Sequence, residues 1–526
     1  MVQVVGNPMT IGIFIAYLVI MLIIGFVFAG KIRDIKDYFI GGRKIGFWEL
    51  NFTLIATIAS AMTYVGVAGA AYSWGWPFLW ETFWPAVALV ITTMVLGPRL
   101  YRIAKRHDLV TVVDYLELRY ERSKAVRGIA SIIAIILTAI YLMGQYKAMA
   151  MTVQSLIGWD YFTALTVGAI ILIVYSVLGG LYAVAVTDFV QLLIMILGIL
   201  LLLPTAISLA GGIETINTTL KSIEPWMVEI FAPKGPGSPP LLFSLFVVVA
   251  LSLAAMPHVS HRHWMGRRYS YYRWLPLVGF VIYFAVHMSV KWWGLSGRAL
   301  VAQGILPPPA DPDRILPDMI IYVAHPVIAG ILLAAVASAV MSTVDSLLLV
   351  ASATVARDIY QMLIKPTASE RSMVWISRIT TLALGFITYA IVISPPGLIM
   401  WLVWASLGIC ASTFVPLFFG GLFWRRPNKV SAIITMIVGL IAALFFGYTN
   451  KYLGWNYIIY PFAWSMIIGI VTYIITSLVT KPPSKEYLDQ VMPTKAKAAI
   501  SAIKSKTTED ALRDVAFRVF GTKSIT

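Results

Sequence analysis

The chain has 526 residues, 59% of them hydrophobic and 12% charged, with a formal net charge of +16. Soluble domains carry about 25% charged residues, so a water-soluble fold is excluded, and the mean hydropathy of +0.84 agrees. The only cysteine, Cys410, rules out an intramolecular disulfide and a cysteine-built metal site; no nucleotide loop, zinc signature or nucleophile elbow is present, so no enzyme is expected.

Apolar segments of bilayer-spanning length lie near 10–30, 47–72, 78–99, 126–156, 160–180, 185–211, 240–258, 275–300, 320–356, 373–393, 396–422, 429–449 and 457–479. The chain therefore reads as an all-α integral membrane protein of about thirteen transmembrane helices. The first block, Thr10 to Gly30, has neither a basic stretch before it nor a small-residue cleavage site after it, and is a retained span.

Basic residues alternate between connections. Lys31, Arg33, Lys36, Arg43 and Lys44 follow the first span, and Ser73–Pro77 has none. Arg99, Arg102, Lys105, Arg106, Arg119, Arg122, Lys124 and Arg127 come next, and Ile157–Asp160 has none. Arg262, Arg267, Arg268 and Arg273 crowd a later loop, read with His258, His261 and His263 as solvated; Arg425, Arg426 and Lys429 crowd another. The positive-inside rule then puts the N-terminus outside and the C-terminus in the cytoplasm, and explains the net charge without nucleic acid. The divisions are 1–46 (outer N-terminus, first span, inner loop), 47–212 (five spans), 213–239 (a Gly/Pro-rich outer loop), 240–424 (five spans), 425–480 (two spans) and 481–526 (a polar inner tail). An odd-numbered unit repeated in series must be inverted. In the tail, 498–520 is a candidate amphipathic helix on the membrane surface.

Two spans look interrupted. The second contains the small, polar run Ala59-Ser60-Ala61-Met62-Thr63, followed by Gly66 and Gly69, glycines that suit close packing; the seventh ends in Met256-Pro257-His258. Irregular backbone inside a membrane survives only where it is buried or lines a cavity, and breaks at matching places in two halves point to a transport site. In the ninth span Ala339, Ser342, Thr343 and Ser346 share a helical face, so hydroxyls there could join freed carbonyls around a sodium ion.

Ionisable residues within spans are functional by default. Asp345 is such an acid, with a cytoplasmic arginine as its alternative partner. Lys147 lies toward the outer end of the fourth span, either snorkelling to the interface or meeting a cargo carboxylate or Glu81. Trp74, Trp76, Trp80 and Trp84 read as interfacial anchors.

Several segments together resemble the sodium:solute symporter family over nearly the whole length, to about Val479. They are Asp37-Tyr38-Phe39-Ile40-Gly41-Gly42-Arg43, Leu178-Gly179-Gly180-Leu181-Tyr182-Ala183 with Thr187-Asp188-Phe189-Val190-Gln191, Pro257-His258, Ala339-Val340-Met341-Ser342-Thr343, and Ala356-Arg357-Asp358-Ile359-Tyr360. The resemblance implies the leucine-transporter fold, with two inverted five-helix repeats, and alternating-access symport of Na⁺ with a small organic solute across the cell membrane. Pantothenate and proline are the first cargo expectations. It further implies a sodium site of the Ala59, Met62 and Ala339 carbonyls with the Ser342 and Thr343 hydroxyls, and cargo near Ser60, Thr63 and Tyr64. Glu81, Lys147, Pro257 and His258 complete the expected cargo set. Asp188, Asp345 and Ser346, with Ser342, are the candidate second cation site; relatives have a hydroxyl where this chain has Asp345. Ala61 stands where the proline-transporting branch has an aspartate. A proton-coupled carrier of the same fold and a non-transporting sensor are the alternatives.

Overall fold

The computed structural model of the chain describes residues 5–29, 39–178, 181–201, 203–233, 237–394, 397–453 and 459–492. The candidate helix at 498–520 and the pair Gly179-Gly180 lie outside these residues. Among the described residues the structure is helical and without strands, save an isolated bridge between Ile45 and Gly266. Among the described residues ten helices are long and apolar enough to cross a membrane, or up to twelve if each of two bent pairs is one span. The span expected at 160–180 corresponds to a shorter apolar helix, so the expected thirteen are not all met by length.

In chain order the helices are α1 (Pro8–Ala29), α2 (Phe47–Ile58), α3 (Met62–Trp74), α4 (Trp76–His107), α5 (Val112–Arg119), α6 (Lys124–Ile157), α7 (Tyr161–Leu178), α8 (Leu181–Leu201) and α9 (Gly212–Ile223). They continue as α10 (Pro239–Ala255), α11 (Pro257–Trp264), α12 (Leu275–Ala302), α13 (Ile315–Val323), α14 (Pro326–Ile364), α15 (Glu370–Val392), α16 (Ile399–Phe423), α17 (Lys429–Leu453) and α18 (Pro461–Val479).

Burial separates a core from a rim. The most apolar stretches of α14 and α16 are 83% and 89% buried, whereas those of α1 and α15 are 33% buried. Phe386 and Ile387 on α15 and Leu444 and Phe445 on α17 remain exposed, as expected of helices facing hydrocarbon, where apolar surface need not be hidden. α14 packs against α1, α2, α6, α7, α8 and α15. Its run of Ala and Ser from Ala334 to Ser346 is fully inside, because small side chains let backbones approach closely.

The two bends fall where the sequence placed them. α2 and α3 meet at 57°, and α10 and α11 at 42°. The stretch 213–239 is not an open loop: α9 occupies its first half. Trp76 Nε1 donates to Asn217 Oδ1 (2.9 Å) and Trp80 Nε1 to the Ile230 carbonyl (3.1 Å), which ties the segment to the start of α4.

The basic run around Arg262 departs from expectation. His258, His261, Arg262 and His263 are buried, not solvated, because the chain continues past the second bend as α11 and plugs into the bundle. His261 Nε2 bonds the Val110 carbonyl (2.8 Å), His263 Nε2 bonds Thr92 Oγ1 (2.9 Å), and the His258 ring meets Tyr141 edge-on at 5.4 Å. Trp84 also departs from the anchor reading, since it is buried against Trp404 with centroids 5.9 Å apart.

Candidate functional site

The first bend is built from satisfied backbone groups. Ala59 leaves the helical region at φ −74°, ψ 78°. The amides that open α3 then need partners. Gln145 Oε1 on α6 accepts the Ala61 N–H (2.9 Å), Ser60 Oγ accepts that of Met62 (3.2 Å), and the Ser60 carbonyl accepts that of Thr63 (2.9 Å). On the other side, the Ala56 carbonyl near the end of α2 accepts a hydrogen bond from Ser342 Oγ on α14 (3.2 Å). Ser342 and Thr343 also reach the Ala339 carbonyl, at 3.3 and 3.1 Å. The bend thus meets the expected hydroxyl pair through the negative end of α2, an arrangement of neutral oxygens suited to a monovalent cation. Met62 has its carbonyl turned to Val67 within α3.

The second bend follows the same logic. Pro257 has no N–H to satisfy at the first turn of α11, and the Ala254 carbonyl freed in α10 accepts from Thr92 Oγ1 (3.0 Å).

Between the bends lies a narrow cavity of about 10 Å³. Its lining combines the polar residues Ser60, Thr63, Tyr141, Tyr283, His287 and Glu81 with the apolar Ile58, Leu253, Val403 and Leu407. Among the expected cargo residues, Ser60, Thr63 and Glu81 line it; Tyr64, Lys147, Pro257 and His258 do not. A buried chain of polar groups runs from this lining. Thr63 Oγ1 and Tyr283 OH are 3.0 Å apart, Tyr283 OH and His287 Nδ1 3.2 Å, His287 Nε2 and Glu81 Oε2 2.6 Å, and Lys291 Nζ is 3.0 Å from the same carboxylate oxygen. Glu81 Oε1 is buried and without a partner. Sequence reasoning missed Tyr283, His287 and Lys291. Their spacing of four residues puts them on one face of α12, and an ionisable pair within a span was the available signal.

Lys147 neither snorkels nor meets Glu81. It is 1% exposed, with Nζ 2.8 Å from Asp313, 2.9 Å from Asp311 and 2.7 Å from the Gly397 carbonyl. Asp313 also accepts the Ile399 N–H (2.9 Å), so one lysine clamps the turn Pro312–Arg314 to the start of α16. That turn rests on α3 at Gly69, where a Cβ would stand 2.8 Å from the Pro312 carbonyl oxygen, so the glycine is a packing position. Burial raises the Asp313 carboxyl to about 6, against the pull of Lys147. Trp74, Trp401, Trp404 and Trp84 form a continuous aromatic series beside the same closure.

The candidate second cation residues come together around an arginine side chain. Arg262 bonds Ser346 Oγ through Nη2, which also lies 3.7 Å from Asp188 Oδ2, and its Nε donates to Thr57 Oγ1 (3.2 Å). Asp188 accepts from Thr53 Oγ1 (2.6 Å), and both oxygens of Asp345 are buried without hydrogen-bond partners.

A model of the sodium:solute symporter family matches residues 38–439. The chain is 28% identical over 410 residues to a sodium/pantothenate symporter of Haemophilus influenzae, covering 77% of this chain and 83% of that protein. It is 29% identical over 477 residues to the osmoregulated proline transporter OpuE of Bacillus subtilis, covering 89% and 94%. Its fold matches a substrate-bound, outward-open Na⁺-coupled sialic acid symporter with a TM-score of 0.75 at 22% identity, over 91% of this chain and 99% of that one.

Proposed function

This chain belongs to the sodium:solute symporter family, and from that premise we propose that its cargo is a small carboxylate or amino acid such as pantothenate or proline. It is a multi-pass membrane transporter of the leucine-transporter fold, a sodium-coupled symporter rather than an enzyme. The cargo reading is supported by relatives named for pantothenate and proline transport. It is supported too by a cavity whose lining combines apolar side chains with a few polar ones, the composition that binds and orients small solutes. Ser60, Thr63 and Glu81, together with Tyr283 and His287, meet the cargo. Tyr64, Pro257 and His258 support the two bends from behind, and Lys147 closes the route to them. The end carrying the basic loops is cytoplasmic, and the membrane is the plasma membrane.

Sodium is held by the Ala59, Met62 and Ala339 carbonyls with the Ser342 and Thr343 hydroxyls. The observation that carries this is the Ser342 hydroxyl seated on the Ala56 carbonyl at 3.2 Å. A hydroxyl that now donates to a helix-end carbonyl presents its lone pairs once an ion arrives, and the carbonyls at the bend turn with it. Sodium then joins α2 and α3 to α14. Because Ser60 and Thr63 belong to the same bend, ion binding and cargo binding favour one arrangement of the backbone, which is the energetic meaning of coupling. In proteoliposomes, labelled pantothenate or proline is expected to accumulate only with an inward sodium gradient. S342A/T343A is expected to reduce that uptake more than about tenfold, the equivalent of 1.4 kcal/mol. Failure to accumulate either solute refutes the cargo; sodium-driven uptake that survives loss of both hydroxyls refutes the site.

A further inference from the structure

The basic end presents its cations in two ways. Arg425 and Arg426, between α16 and α17, are spent on the protein. Arg425 holds Asp489 (2.6 Å) and the Met492 carbonyl (3.1 Å), and Arg426 holds the carbonyls of Ser477 (2.8 Å) and Leu478 (2.6 Å). Arg102, Lys105 and Arg106 at the end of α4 are exposed, as are Arg267, Arg268 and Arg273 on the connection from α11 to α12. Among the described residues none of these six is in an ion pair with an acid. The neighbouring acid Asp108 turns instead to Arg43 (3.3 Å).

The two cationic segments form one surface. Arg102 Nη2 donates to Tyr269 OH (2.6 Å), and its guanidinium lies 4.3 Å from the centre of that ring. Tyr101 OH donates to the Arg267 carbonyl (3.3 Å), and the Tyr101 ring packs against Tyr269 and Tyr272. Where the connection enters α12, Trp274, Leu277 and Val281 are 54%, 56% and 56% exposed. Their spacing of three and four residues makes one apolar stripe that begins at the cations and runs into the span. Arg273 stands at its head, 5.8 Å from the Trp274 ring. Cations without acid partners above an apolar stripe suit a molecule with an anionic head and a hydrocarbon tail. The head takes charge-assisted hydrogen bonds and the tail covers the stripe; a soluble anion would use only the upper part of this surface.

We propose that the surface between the end of α4 and the start of α12 is a binding site for an anionic phospholipid such as phosphatidylglycerol. Positive charge at helix ends orients a membrane protein in general, and that effect alone gives α17 the same attraction. α17 carries a matching stripe, with Ile434, Ile437 and Ile441 36%, 44% and 62% exposed. The arginines above it are engaged by the protein, and Lys429 adds a single exposed cation. Selection of the anionic lipid is therefore expected at α12 and not at α17.

The test uses the full-length protein in a C410S background, with a single fluorophore-labelled cysteine at V281C or at I434C, in phosphatidylcholine vesicles. Brominated phosphatidylglycerol or brominated phosphatidylcholine is added as a minor fraction, and bromine quenches the fluorophore on contact. At V281C the phosphatidylglycerol is expected to quench as if enriched about fivefold over the phosphatidylcholine. At I434C the two lipids are expected to quench nearly alike. R102Q/R268Q/R273Q is expected to abolish the preference at V281C, and inorganic phosphate is expected to leave it unchanged. Equal quenching at V281C, the same preference at both positions, a preference that survives the triple substitution, or displacement of the lipid by inorganic phosphate overturns the proposal. If the triple variant does not fold, the comparison of V281C with I434C decides. The vesicles contain neither cargo nor sodium, so the result stands apart from the assignment of either.

Discussion

The two ends of the cavity are closed by different chemistry. At the end without basic loops, closure rests on one ammonium: Lys147 gathers Asp311, Asp313 and the Gly397 carbonyl, and every partner lies on the 300–317 connection or at the start of α16. At the basic end, closure rests on arginines that each join several helices. Arg127 binds Asp114, Glu117 and Asp358. Arg119 donates to the carbonyls of Gly421 (2.6 Å), Trp424 (2.7 Å) and Pro427 (3.0 Å), capping the end of α16. Arg262 joins α2, α8 and α14. A lysine is a compact point charge on a flexible stem, whereas a guanidinium is a rigid fork that can hold several acceptors at once. A single ammonium at the neutral end thus holds one small piece of chain, whereas the guanidinium groups at the basic end tie whole helices to one another.

The comparison is broken most forcefully at Arg127. It is 2% exposed, and its three carboxylates are at most 15% exposed. Removing the cation leaves buried like charges facing one another, a loss at the upper end of the usual ~3–5 kcal/mol for breaking a buried pair. R127M is therefore expected to lower the thermal unfolding temperature of the purified protein sharply. An unfolding temperature within a degree or two of wild type would mean that the basic end is not held in this way.

K147M is expected to act on opening rather than on folding, because its partners can lift into water together. The shift is about 3 kcal/mol, roughly 100-fold in the ratio of open to closed forms. It is read with a single cysteine at Val403, which lines the cavity, in a C410S background, since Cys410 is the only native thiol. Labelling by an impermeant maleimide should rise in K147M and should not rise in R127M. Equal rises in both would erase the distinction between the two ends.

These contrasts mark what could be read from the chain. Both bends were legible, because proline at 257 and the run from Ala59 to Thr63 are local signals of a broken helix, and the face carrying Ser342 and Thr343 was legible from periodicity alone. The charged partners were not. Lys147 and Asp313 are 166 residues apart and Arg262 and Ser346 are 84 apart, and without homologues only tertiary packing chooses between an interfacial, a cargo-facing and a paired lysine. The basic cluster at 258–263 misled for a related reason. Charge density suggests solvent, but His261, Arg262 and His263 each find a partner elsewhere in the bundle, and a paired polar group can be buried.

Acidification sharpens the picture at the neutral end. Asp313 is raised from its ordinary 3.8 to about 6 in the closed form. In the open form it meets water and returns toward 3.8. The closed form therefore binds the proton more tightly, and closure strengthens as pH falls through about 6; above that value both forms are ionised and pH has little effect. Between pH 7.5 and pH 5 the closed form should gain about tenfold. Labelling at V403C should fall by that factor, and D313N should remove the dependence. A rise on acidification would show the sign to be wrong and the Asp313 carboxylate to be stabilised, not strained, by its surroundings.

The smallest effect separates the two acids that share Lys147. Their distances to Nζ are nearly equal, 2.9 Å for Asp311 and 2.8 Å for Asp313, but the side chains are 30% and 0% exposed. Coulomb attraction at equal distance is set by the surrounding dielectric, and water at Asp311 screens its share and hydrates the acid when it is free. Asp313 has no solvent and, among the described residues, no cation but Lys147 in ion-pair contact, and it alone accepts the Ile399 amide. D311N is thus expected to change opening by no more than ~1 kcal/mol, within about fivefold in cysteine labelling, and to weaken further in high salt. D313N keeps an amide oxygen for the Ile399 N–H and removes the charge whose raised pKa opposes closure, so at neutral pH its labelling should fall, by more than D311N changes it, and be insensitive to salt. If the two variants proved equal, the lysine would be holding a solvated loop by net charge, and the neutral end would owe its closure to the tryptophan series instead.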